Sequence, residues 1–304
     1  MSLRRLDLNL LLSLEALLEE RSVTRAARRM GLAQPTLSSS LARLRRHFAD
    51  ALLVRAGNEY RLTPLAARLR DRVRVAVIEV DRVFQTNSSY DPATSTREFR
   101  LLVSDYALAV LGPAITDMLA QEAPRSRLRM SPISSTTADL PEQAVLGHDL
   151  LFMPHGFVVD LPHQDLFEDR WMCLVAEENP LVGEELTVEH LCALPWVASY
   201  LGPTASTPAV RQMRMLGIEP RIQFVTDSFL AVPGLIAGSQ RVALIQERLL
   251  HGTIPLAGLR VLPCPFPAGP LVEAMWWHPV SDDDPEHVYL RSVVERACSA
   301  LPGC

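Results

Sequence analysis

The stretch between Ser22 and Arg46 constrains this 304-residue chain most, because it predicts two short helices joined by a tight turn. Ser22 is a good N-cap for the first helix, and Gly31 stands where the left-handed residue that ends a helix is favoured. The second helix begins near Gln34-Pro35, since proline is tolerated in a first turn, where its missing amide has no helical partner. Four apolar residues at helical spacing then predict one buried stripe. They are Leu37, Leu41, Leu44 and Phe48.

The opposite face of the second helix carries short polar side chains and arginine but no carboxylate. Its members are Gln34, Thr36, Ser38, Ser39, Ser40 and Arg43. A helix that packs on one side and presents hydroxyls, an amide and arginine on the other suits the major groove of DNA. An ordinary helical hairpin with a solvated polar face is the alternative interpretation of the same spacing.

The charge of the chain is divided unevenly, and the division favours the DNA interpretation. Residues 1–85 hold 16 arginines against 9 acidic residues, a balance of +7, whereas residues 86–304 hold 14 arginines against 26 acidic residues, a balance of −12. A basic head on an acidic body indicates that only the head approaches a polyanion. We therefore expect duplex DNA as the partner of the head.

Two further elements complete the predicted head. An apolar, amphipathic helix over Leu6–Glu20 supplies leucines that are candidates to cover the back of the two-helix motif. These are Leu8, Leu11, Leu12, Leu14, Leu17 and Leu18. After the motif, the short segments Ala51–Arg55 and Tyr60–Thr63 predict a hairpin. Arg55 and Arg61 flank its turn, and we expect them to contact phosphate; the alternative is ordinary surface charge.

A long helix follows the hairpin and predicts a dimer. Thr63-Pro64 is a helix-start signature, and the helical pattern continues to about Gln85, on the order of 33 Å at ~1.5 Å per residue. Six apolar residues in it alternate spacings of three and four, which is an a/d seam. They are Ala66, Leu69, Val73, Ala76, Val80 and Val83. Such a seam needs a partner helix, and the simplest partner is a second copy of the chain.

The rest of the chain predicts two α/β lobes. A linker rich in Ser, Thr, Asn and Pro over 86–96 separates them from the head. Strand and helix patterns then alternate to the C-terminus, which predicts parallel-rich sheets with helices on their faces. We divide the chain into residues 1–63, a DNA-binding domain; 64–86, a dimerisation helix; 87–96, a hinge; and 97–304, an effector-binding domain whose ligand lies in the cleft between the lobes.

Other functional classes fit the sequence less well. It contains no HExxH, no GxSxG and no glycine-rich phosphate loop, so we assign no catalytic residue, no metal site and no cofactor. Five separated cysteines, at 173, 192, 264, 298 and 304, predict reduced thiols. No segment approaches the ~20 apolar residues of a membrane span, and residues 1–9 lack a signal-peptide core, so we expect a soluble cytoplasmic protein. An exported solute-binding protein and a regulator with redox input through Cys173 and Cys192 are the alternatives.

Taken together, the chain resembles the LysR-type bacterial transcription regulators over essentially its whole length. The most specific part is SVTRAARRMGLAQPTLSSSLARLRRHFADALLVR followed by RLTPLA, which looks like the family's winged helix-turn-helix and the start of its linker helix. The forms LDLNLLLSLEALLEERSVTRAA and REFRLLVSDY are closer to the flavonoid-sensing nodulation-regulator branch. The fold that the resemblance implies is a winged helix-turn-helix, a linker helix and a two-lobed α/β domain like that of periplasmic binding proteins.

The resemblance also implies roles for individual residues of the head. Gln34, Pro35, Ser38 and Ser39 align with positions that approach bases in the major groove. Ser39 replaces the arginine common there, so it cannot make arginine's bidentate contact with guanine. Contacts with phosphate or groove edges are expected from Thr24, Arg25, Thr36, Arg43, Arg55 and Arg61. Ala33 stands where relatives place a Ser or Thr N-cap, at a cost of about 1 kcal/mol to the helix.

For the two lobes, the resemblance implies a small-molecule co-inducer in the cleft. Hydroxyl, acidic and aromatic residues at strand ends together suit a planar, hydroxylated ring compound, although each alone is more readily interpreted as a helix cap or a core residue. They are Ser104, Asp105, Tyr106, Ser134, Ser135, Thr136, Phe152, His155, Tyr200, Thr204, Phe224, Thr226 and Asp227. The family further implies a homodimer doubled to a tetramer, and activation or repression of transcription through RNA polymerase.

Overall fold

A computed structural model describes residues 8–56, 59–85, 90–134, 141–158, 160–202, 206–251 and 253–301, and the chain divides into two units. Unit 1 covers Met1–Asn87 and unit 2 covers Ser88–Cys304. The boundary between them lies inside the segment that the sequence marks as a hinge. None of the helices in the described ranges qualifies as a membrane span.

The described residues of unit 1 form four helices and a two-stranded ribbon. In chain order they are α1 (Leu8–Glu20), α2 (Val23–Arg29), α3 (Gln34–Phe48), β1 (Leu53–Ala56), β2 (Glu59–Leu62) and α4 (Pro64–Gln85). The two strands pair antiparallel, with Leu53 opposite Leu62 and Arg55 opposite Tyr60. The predicted helix-turn-helix and hairpin are both confirmed, with ends shifted by one or two residues.

The turn between α2 and α3 follows the local rules read from the sequence. The Ser22 hydroxyl accepts a hydrogen bond from the amide of Arg25 at 3.3 Å. Gly31 has φ +64°, and a Schellman pair of bonds ends α2: Gly31 N donates to Arg28 O at 3.2 Å and Leu32 N to Ala27 O at 2.9 Å. Ala33 caps α3 without a side-chain hydrogen bond, as its missing hydroxyl requires.

The core of unit 1 shows what covers the first half of the long-helix seam. Leu14, Leu17 and Leu18 of α1 are buried, and Ala66 and Val73 of α4 are buried in the same core. The apolar side of α1 is therefore the partner of these two positions within one chain, and they are not available to a second copy. Leu8 and Leu12 remain exposed, contrary to the expectation that they cover the motif.

The other seam positions differ in how far this core covers them. Three of them are half-buried. Of these, Leu69 packs against the core of unit 1, whereas Ala76 and Val80 do not belong to that core. The side chain of Val83 lies outside the described residues. The dimer prediction consequently depends on the C-terminal half of α4, because Ala76 and Val80 are the described seam positions that do not belong to the core of unit 1.

Unit 2 contains two five-stranded sheets and six α-helices among its described residues. The strands are β3 (Glu98–Val103), β4 (Arg127–Pro132), β5 (Leu150–Pro154), β6 (His163–Asp169), β7 (Trp171–Ala176), β8 (Pro195–Ser199), β9 (Arg221–Thr226), β10 (Val242–Gln246), β11 (Leu259–Pro263) and β12 (Leu271–Trp276). The helices are α5 (Asp105–Glu122), α6 (Pro141–Ala144), α7 (Val188–Ala193), α8 (Pro208–Met215), α9 (Val232–Ile236) and α10 (Pro285–Ser299).

The two sheets have the orders β4-β3-β5-β12-β6 and β11-β7-β10-β8-β9. In each sheet three neighbouring strands pair in parallel, as predicted, and one strand runs against all the others: β12 in the first sheet, between β5 and β6, and β7 in the second, between β10 and β11. The alternating pattern of β6, HQDLFED, escaped the sequence reading. Because β12 returns from late in the chain to lie between β5 and β6, residues more than a hundred positions apart become neighbours in the first sheet.

Candidate DNA-binding surface and effector cavity

The exposed face of α3 is the candidate DNA-reading surface. Leu37, Leu41 and Leu44 are buried, so the helix can turn only its other side outwards. The residues predicted to approach bases or phosphates on or beside it are all exposed. They are Thr24, Arg25, Gln34, Pro35, Thr36, Ser38, Ser39 and Arg43. Because this face carries short polar groups and no carboxylate, the helix can enter a major groove without repelling the DNA phosphates.

The structure restricts three of the predicted phosphate contacts, those of Arg25, Arg55 and Arg61. The guanidinium of Arg25 pairs with the Glu20 carboxylate at 3.2 Å, so a phosphate must compete with that carboxylate. In the ribbon, Arg55 lies opposite Tyr60 and Arg61 opposite Val54. Side chains alternate along a strand, so Arg55 and Arg61 point to opposite faces of the ribbon and cannot contact one phosphate group together.

Residues that sequence reasoning missed hold the ribbon to the helices. Arg45 donates from Nε to the carbonyl of Ala51 at 2.8 Å and from Nη2 to that of Leu53 at 3.1 Å. The Asp50 carboxylate accepts from the amide of Leu52 at 2.6 Å and from the hydroxyl of Thr63 at 2.7 Å. These hydrogen bonds, the one from Thr63 first, lower the pKa of Asp50.

The Thr63 hydroxyl also accepts from the amide of Ala66 at 3.1 Å and so caps α4. Together with Arg45, the Asp50–Thr63 pair fixes the positions of α3, the ribbon and α4 relative to one another. Asp50 and Thr63 are 13 residues apart in the chain, and no periodic pattern predicts their contact. The sequence indicated only that Thr63-Pro64 starts a helix.

In unit 2 the candidate effector site is a cavity lined from both sheets, and its empty space, counted together with its opening to solvent, is about 430 Å³. Its walls are dominated by aromatic side chains: Tyr106, Phe152, Phe157, Trp171, Tyr200 and Phe229. Polar groups reach it from Ser104, Thr207, Gln246 and Glu273. A concave, mostly aromatic cavity with a few polar groups is the usual form of a small-molecule site.

Four of the predicted effector residues line this cavity, namely Ser104, Tyr106, Phe152 and Tyr200. Ser104 also caps α5 by accepting from the amide of Ala107 at 3.1 Å. Ser135, Thr136 and Thr204 lie outside the described residues. The others are not among the described residues of the lining: Asp105, Ser134, His155, Phe224, Thr226 and Asp227.

For three of these six the structure gives the reason. The Asp105 carboxylate accepts from the Ser228 hydroxyl at 2.7 Å and from the amides of Phe229 and Leu230, so it links the start of α5 to the segment before α9. Phe224 is exposed on the edge strand β9, with the guanidinium of Arg241 over its ring at 4.6 Å. His155 turns to Asp165, with Nε2 and Oδ1 2.5 Å apart.

The most informative polar groups of the cavity are those without partners. Glu273 is 1% exposed and Gln246 0%, and among the described residues no hydrogen bond reaches Glu273 Oε1, either amide atom of Gln246, or the indole N–H of Trp171. Burial, helped by the nearby Asp169, raises the pKa of Glu273 to about 8, so its carboxyl is protonated at neutral pH.

A bound molecule is the natural partner for such atoms, because a buried polar group left unpaired costs about 1–3 kcal/mol. Sequence reasoning missed both residues, since each sits in an apolar strand that predicts core. The signal was present as a single Glu in LVEAMW and a single Gln at the end of VALIQ.

A second buried acid ties the aromatic wall to the other sheet. Tyr106 donates its hydroxyl proton to Asp169 at 2.5 Å, and Asp169 also accepts from the amides of Arg170 at 2.7 Å and Arg248 at 3.2 Å. Burial raises the pKa of Asp169 and that of Tyr106. The hydroxyl of Tyr106 is therefore bonded within this network, and Tyr106 contributes mainly its ring to the cavity wall.

Cys173 and Cys192, the two cysteines suggested for redox input, are both free thiols. Cys173 Sγ lies 3.8 Å from Cys264 Sγ, whereas Cys192 is exposed on α7. The contact with Cys264, together with burial, raises the pKa of the Cys173 thiol, which keeps it in the unreactive protonated form. The suggested role of Cys173 with Cys192 is not supported.

Known protein families match both parts of the chain, the DNA-binding unit and the unit with the effector cavity. A family model described as "Bacterial regulatory helix-turn-helix protein, lysR family" matches residues 8–67, and the "LysR substrate binding domain" matches residues 93–297. The chain belongs to the LysR family of transcriptional regulators. It is thus a DNA-binding regulator with an effector-binding domain, and the function and fold class read from the sequence are confirmed.

Relatives of this LysR regulator cover nearly its whole length. Nodulation protein D 2 of Rhizobium tropici is 33% identical over 99% of this chain and 96% of its own. Nodulation protein D 1 of Rhizobium meliloti strain 1021 is 32% identical over 99% and 98%. These similarities confirm the predicted resemblance to the nodulation-regulator branch.

Solved structures of LysR regulators share the fold. The probable transcriptional regulator PA0477 from Pseudomonas aeruginosa superimposes with a TM-score of 0.71 at 24% identity, over 97% of this chain and 98% of that one. Full-length CbnR complexed with its target DNA gives a TM-score of 0.66 at 14% identity, over 96% and 100%.

Proposed function

We propose that this LysR regulator controls a promoter in response to a neutral, planar, hydroxylated aromatic compound that binds in the cavity of unit 2. The observation that carries the proposal is the set of unpaired polar atoms on Glu273, Gln246 and Trp171, buried among aromatic rings. Aromatic walls favour a planar ring system, and the unpaired atoms call for a ligand that both donates and accepts hydrogen bonds.

The charge of the cavity supports a neutral ligand over an anionic one. Among the described residues of its lining there is no arginine or histidine, and the lining includes the buried acid Glu273. A carboxylate ligand would lose its hydration, and no cationic side chain of the described lining would replace it. A phenolic hydroxyl or a ring carbonyl meets no such penalty, because a protonated Glu273 can donate to the one and accept from the other.

The positions of the polar groups supply a route from ligand to regulation. Glu273 belongs to the first sheet through β12 and Gln246 to the second through β10. A molecule bonded to both stabilises one relative orientation of the two lobes. A ligand shifts a conformational equilibrium only by binding one state better than another, and a bridging ligand does so.

The remaining parts of the proposal follow from the head and from the family. The exposed face of α3 reads bases, and arginines of α2, α3 and the ribbon contact phosphates. The regulator acts in the cytoplasm as a homodimer joined through α4, doubled to a tetramer, and engages RNA polymerase at the promoter. It needs no cofactor beyond its co-inducer and leaves that compound chemically unchanged, which recovery of intact ligand after incubation would check.

Ligand selection is tested on the full chain by isothermal titration calorimetry. The probes are a dihydroxyflavone and the same ring system with a carboxylate in place of one hydroxyl. We expect the first to bind and the second to bind at least tenfold more weakly. Glu273→Leu should weaken the dihydroxyflavone by about 1–3 kcal/mol, the cost of unsatisfied polar groups, while Glu178→Gln, at an exposed turn, should not.

DNA binding is tested separately with the chain's own upstream promoter and a scrambled duplex, with and without the flavone. Equal affinity for both duplexes in both conditions would refute promoter recognition. Tighter binding of the carboxylate than of the dihydroxyflavone would refute the neutral-ligand proposal while leaving promoter recognition intact.

A further inference from the structure

A cluster of metal-ligating side chains lies outside the effector cavity, on the first sheet of unit 2. His155, His163 and Asp165 each offer one ligand atom, and the three atoms lie within 4.8 Å of one another. The two imidazole rings meet edge to face with centroids 5.1 Å apart. Two imidazole nitrogens and a carboxylate oxygen form a donor set that borderline divalent transition metals such as Zn²⁺ prefer.

The strands hold these side chains together. His163 and Asp165 are two residues apart on β6 and therefore point to the same side of that strand. They lie opposite Trp276 and Ala274 of β12. His155 follows β5, on the other side of β12, and its amide donates to the carbonyl of Val272 at 3.1 Å.

Neighbouring groups orient the two imidazoles. Nδ1 of His163 lies 3.3 Å from the carbonyl oxygen of Leu161. Since a carbonyl only accepts, this nitrogen carries the hydrogen, and Nε2 presents its lone pair outwards, the usual arrangement of a metal-binding histidine. Both rings also pack on the indole of Trp276, at 4.4 Å for His163 and 5.2 Å for His155.

The support beneath the rings is rigid. Trp276 is 3% exposed, and its indole N–H donates to the carbonyl of Met153 at 2.7 Å. The side chains of His155 and Asp165 are 40% and 61% exposed, so an ion can reach them from solvent. A pre-oriented set of donors on a fixed base loses little freedom when it binds an ion.

We propose that His155, His163 and Asp165 bind a divalent transition-metal ion, with water in the remaining coordination positions. The ion replaces the hydrogen that joins His155 Nε2 to Asp165 Oδ1, and that proton moves to Nδ1 of the same ring. The sequence predicts no metal site, because the spacings of eight and two residues match no metal motif. The juxtaposition arises from β12 lying between the two ligand-bearing segments.

The site adjoins a wall of the effector cavity. His155 lies between Pro154 and Phe157, both of which line that cavity. An ion that fixes His155 restricts this segment, and a ligand against Phe157 restricts it from the other side. Metal and effector therefore influence each other's affinity, and by thermodynamic linkage the influence is reciprocal.

The experiment titrates Zn²⁺ into the untagged full chain by calorimetry. We expect one site per chain, and we expect His163→Ala and Asp165→Asn each to weaken it at least ~10- to 100-fold, the loss that removal of a mere supporting partner causes. His251→Ala, at an exposed histidine outside the cluster, should bind Zn²⁺ as the parent chain does. Unchanged far-ultraviolet circular dichroism checks that each variant folds.

A second measurement locates the ion. Cu²⁺ quenches tryptophan fluorescence at short range, so it should quench Trp276 in the parent chain and in His251→Ala but not in His163→Ala. The proposal is overturned if Zn²⁺ binds the His163→Ala and Asp165→Asn variants as tightly as the parent, or if His251→Ala loses as much affinity as they do. Absence of Zn²⁺ binding in the parent chain overturns it as well.

Discussion

Replacing Glu273 by glutamine should stabilise unit 2, and the structure gives the magnitude. Glu273 is buried without a cationic partner among the described residues, which raises its pKa from the ordinary 4.5 to about 8. At pH 7 the folded state keeps the proton while the unfolded chain releases it. Folding at pH 7 therefore includes the uptake of a proton. This uptake costs 1.36 kcal/mol for each of the 2.5 pH units between 4.5 and 7, or about 3 kcal/mol of stability.

Glutamine has the same shape as the protonated acid and needs no proton, so Glu273→Gln should raise the free energy of unfolding at pH 7 by about 3 kcal/mol. The sign follows from linkage: the folded state binds more protons than the unfolded state between pH 4.5 and about 8. Parent stability therefore falls with rising pH across that window. The gain from the substitution should shrink to about 1 kcal/mol at pH 5.

Urea unfolding followed by tryptophan fluorescence measures this effect in the full chain. All four tryptophans, at 171, 196, 276 and 277, belong to unit 2, so the signal reports on that unit alone. Glu178→Gln at an exposed turn is the matched control and should follow the parent at every pH. If Glu273→Gln and the parent have parallel stability profiles between pH 5 and 8, Glu273 is not a buried neutral acid and the reasoning fails.

Three further predictions concern unit 1. Gln34→Ala should weaken binding to the cognate promoter by about 1–3 kcal/mol and binding to scrambled DNA much less; an equal loss on both would show that Gln34 does not read bases. Arg55→Ala should lower affinity for all duplexes alike and reduce the salt slope by about 1, measured by fluorescence anisotropy at several salt concentrations. Val80→Asp should dissociate dimers in sedimentation experiments, whereas Arg74→Asp, an exposed position of the same helix, should not; an unchanged oligomer in Val80→Asp would refute the α4 interface.

The choice of Val80 shows where a sequence seam and a folded helix part ways. Periodicity treats Leu69 and Val80 as equivalent members of one stripe. In the folded unit Leu69 packs against the core that α1 completes, so Leu69→Asp would damage the fold as well as any dimer. A period reports that a face is apolar, but it does not say which surface covers it.

Local rules account for most of what the sequence predicted correctly in unit 1. The Ser22 cap, the left-handed Gly31, the uncapped Ala33 and the early Pro35 act within a few residues of chain, so their effects can be read in order along it. The buried leucines of α3 then fix its outward face. For this reason every predicted contact on α2 and α3 is exposed in the structure.

The effector region divides differently. Strand ends indicated Ser104, Tyr106, Phe152 and Tyr200, and these four line the candidate cavity, because cavities in such sheets open where strands end. His155 and Phe224, indicated by the same rule, have side chains that contact Asp165 and Arg241 instead. The strongest indication of a ligand comes from two polar residues within strands, Glu273 in the middle of β12 and Gln246 at the end of β10. In the sequence each is a single polar residue in an otherwise apolar strand.

The family, the helix-turn-helix, the hairpin and the alternation of strands and helices could all be predicted from the amino-acid sequence, since they depend on residues close together in the chain. Three features follow only from the folded chain: which half of the long-helix seam lies outside the core, which acid is buried in the cavity with an unpaired oxygen, and which histidines come together on the first sheet. Each of those outcomes depends on elements brought together over long distances, with β12 inserted between strands formed over a hundred residues earlier. Burial and partnership are properties of that assembled environment, and no local pattern encodes them.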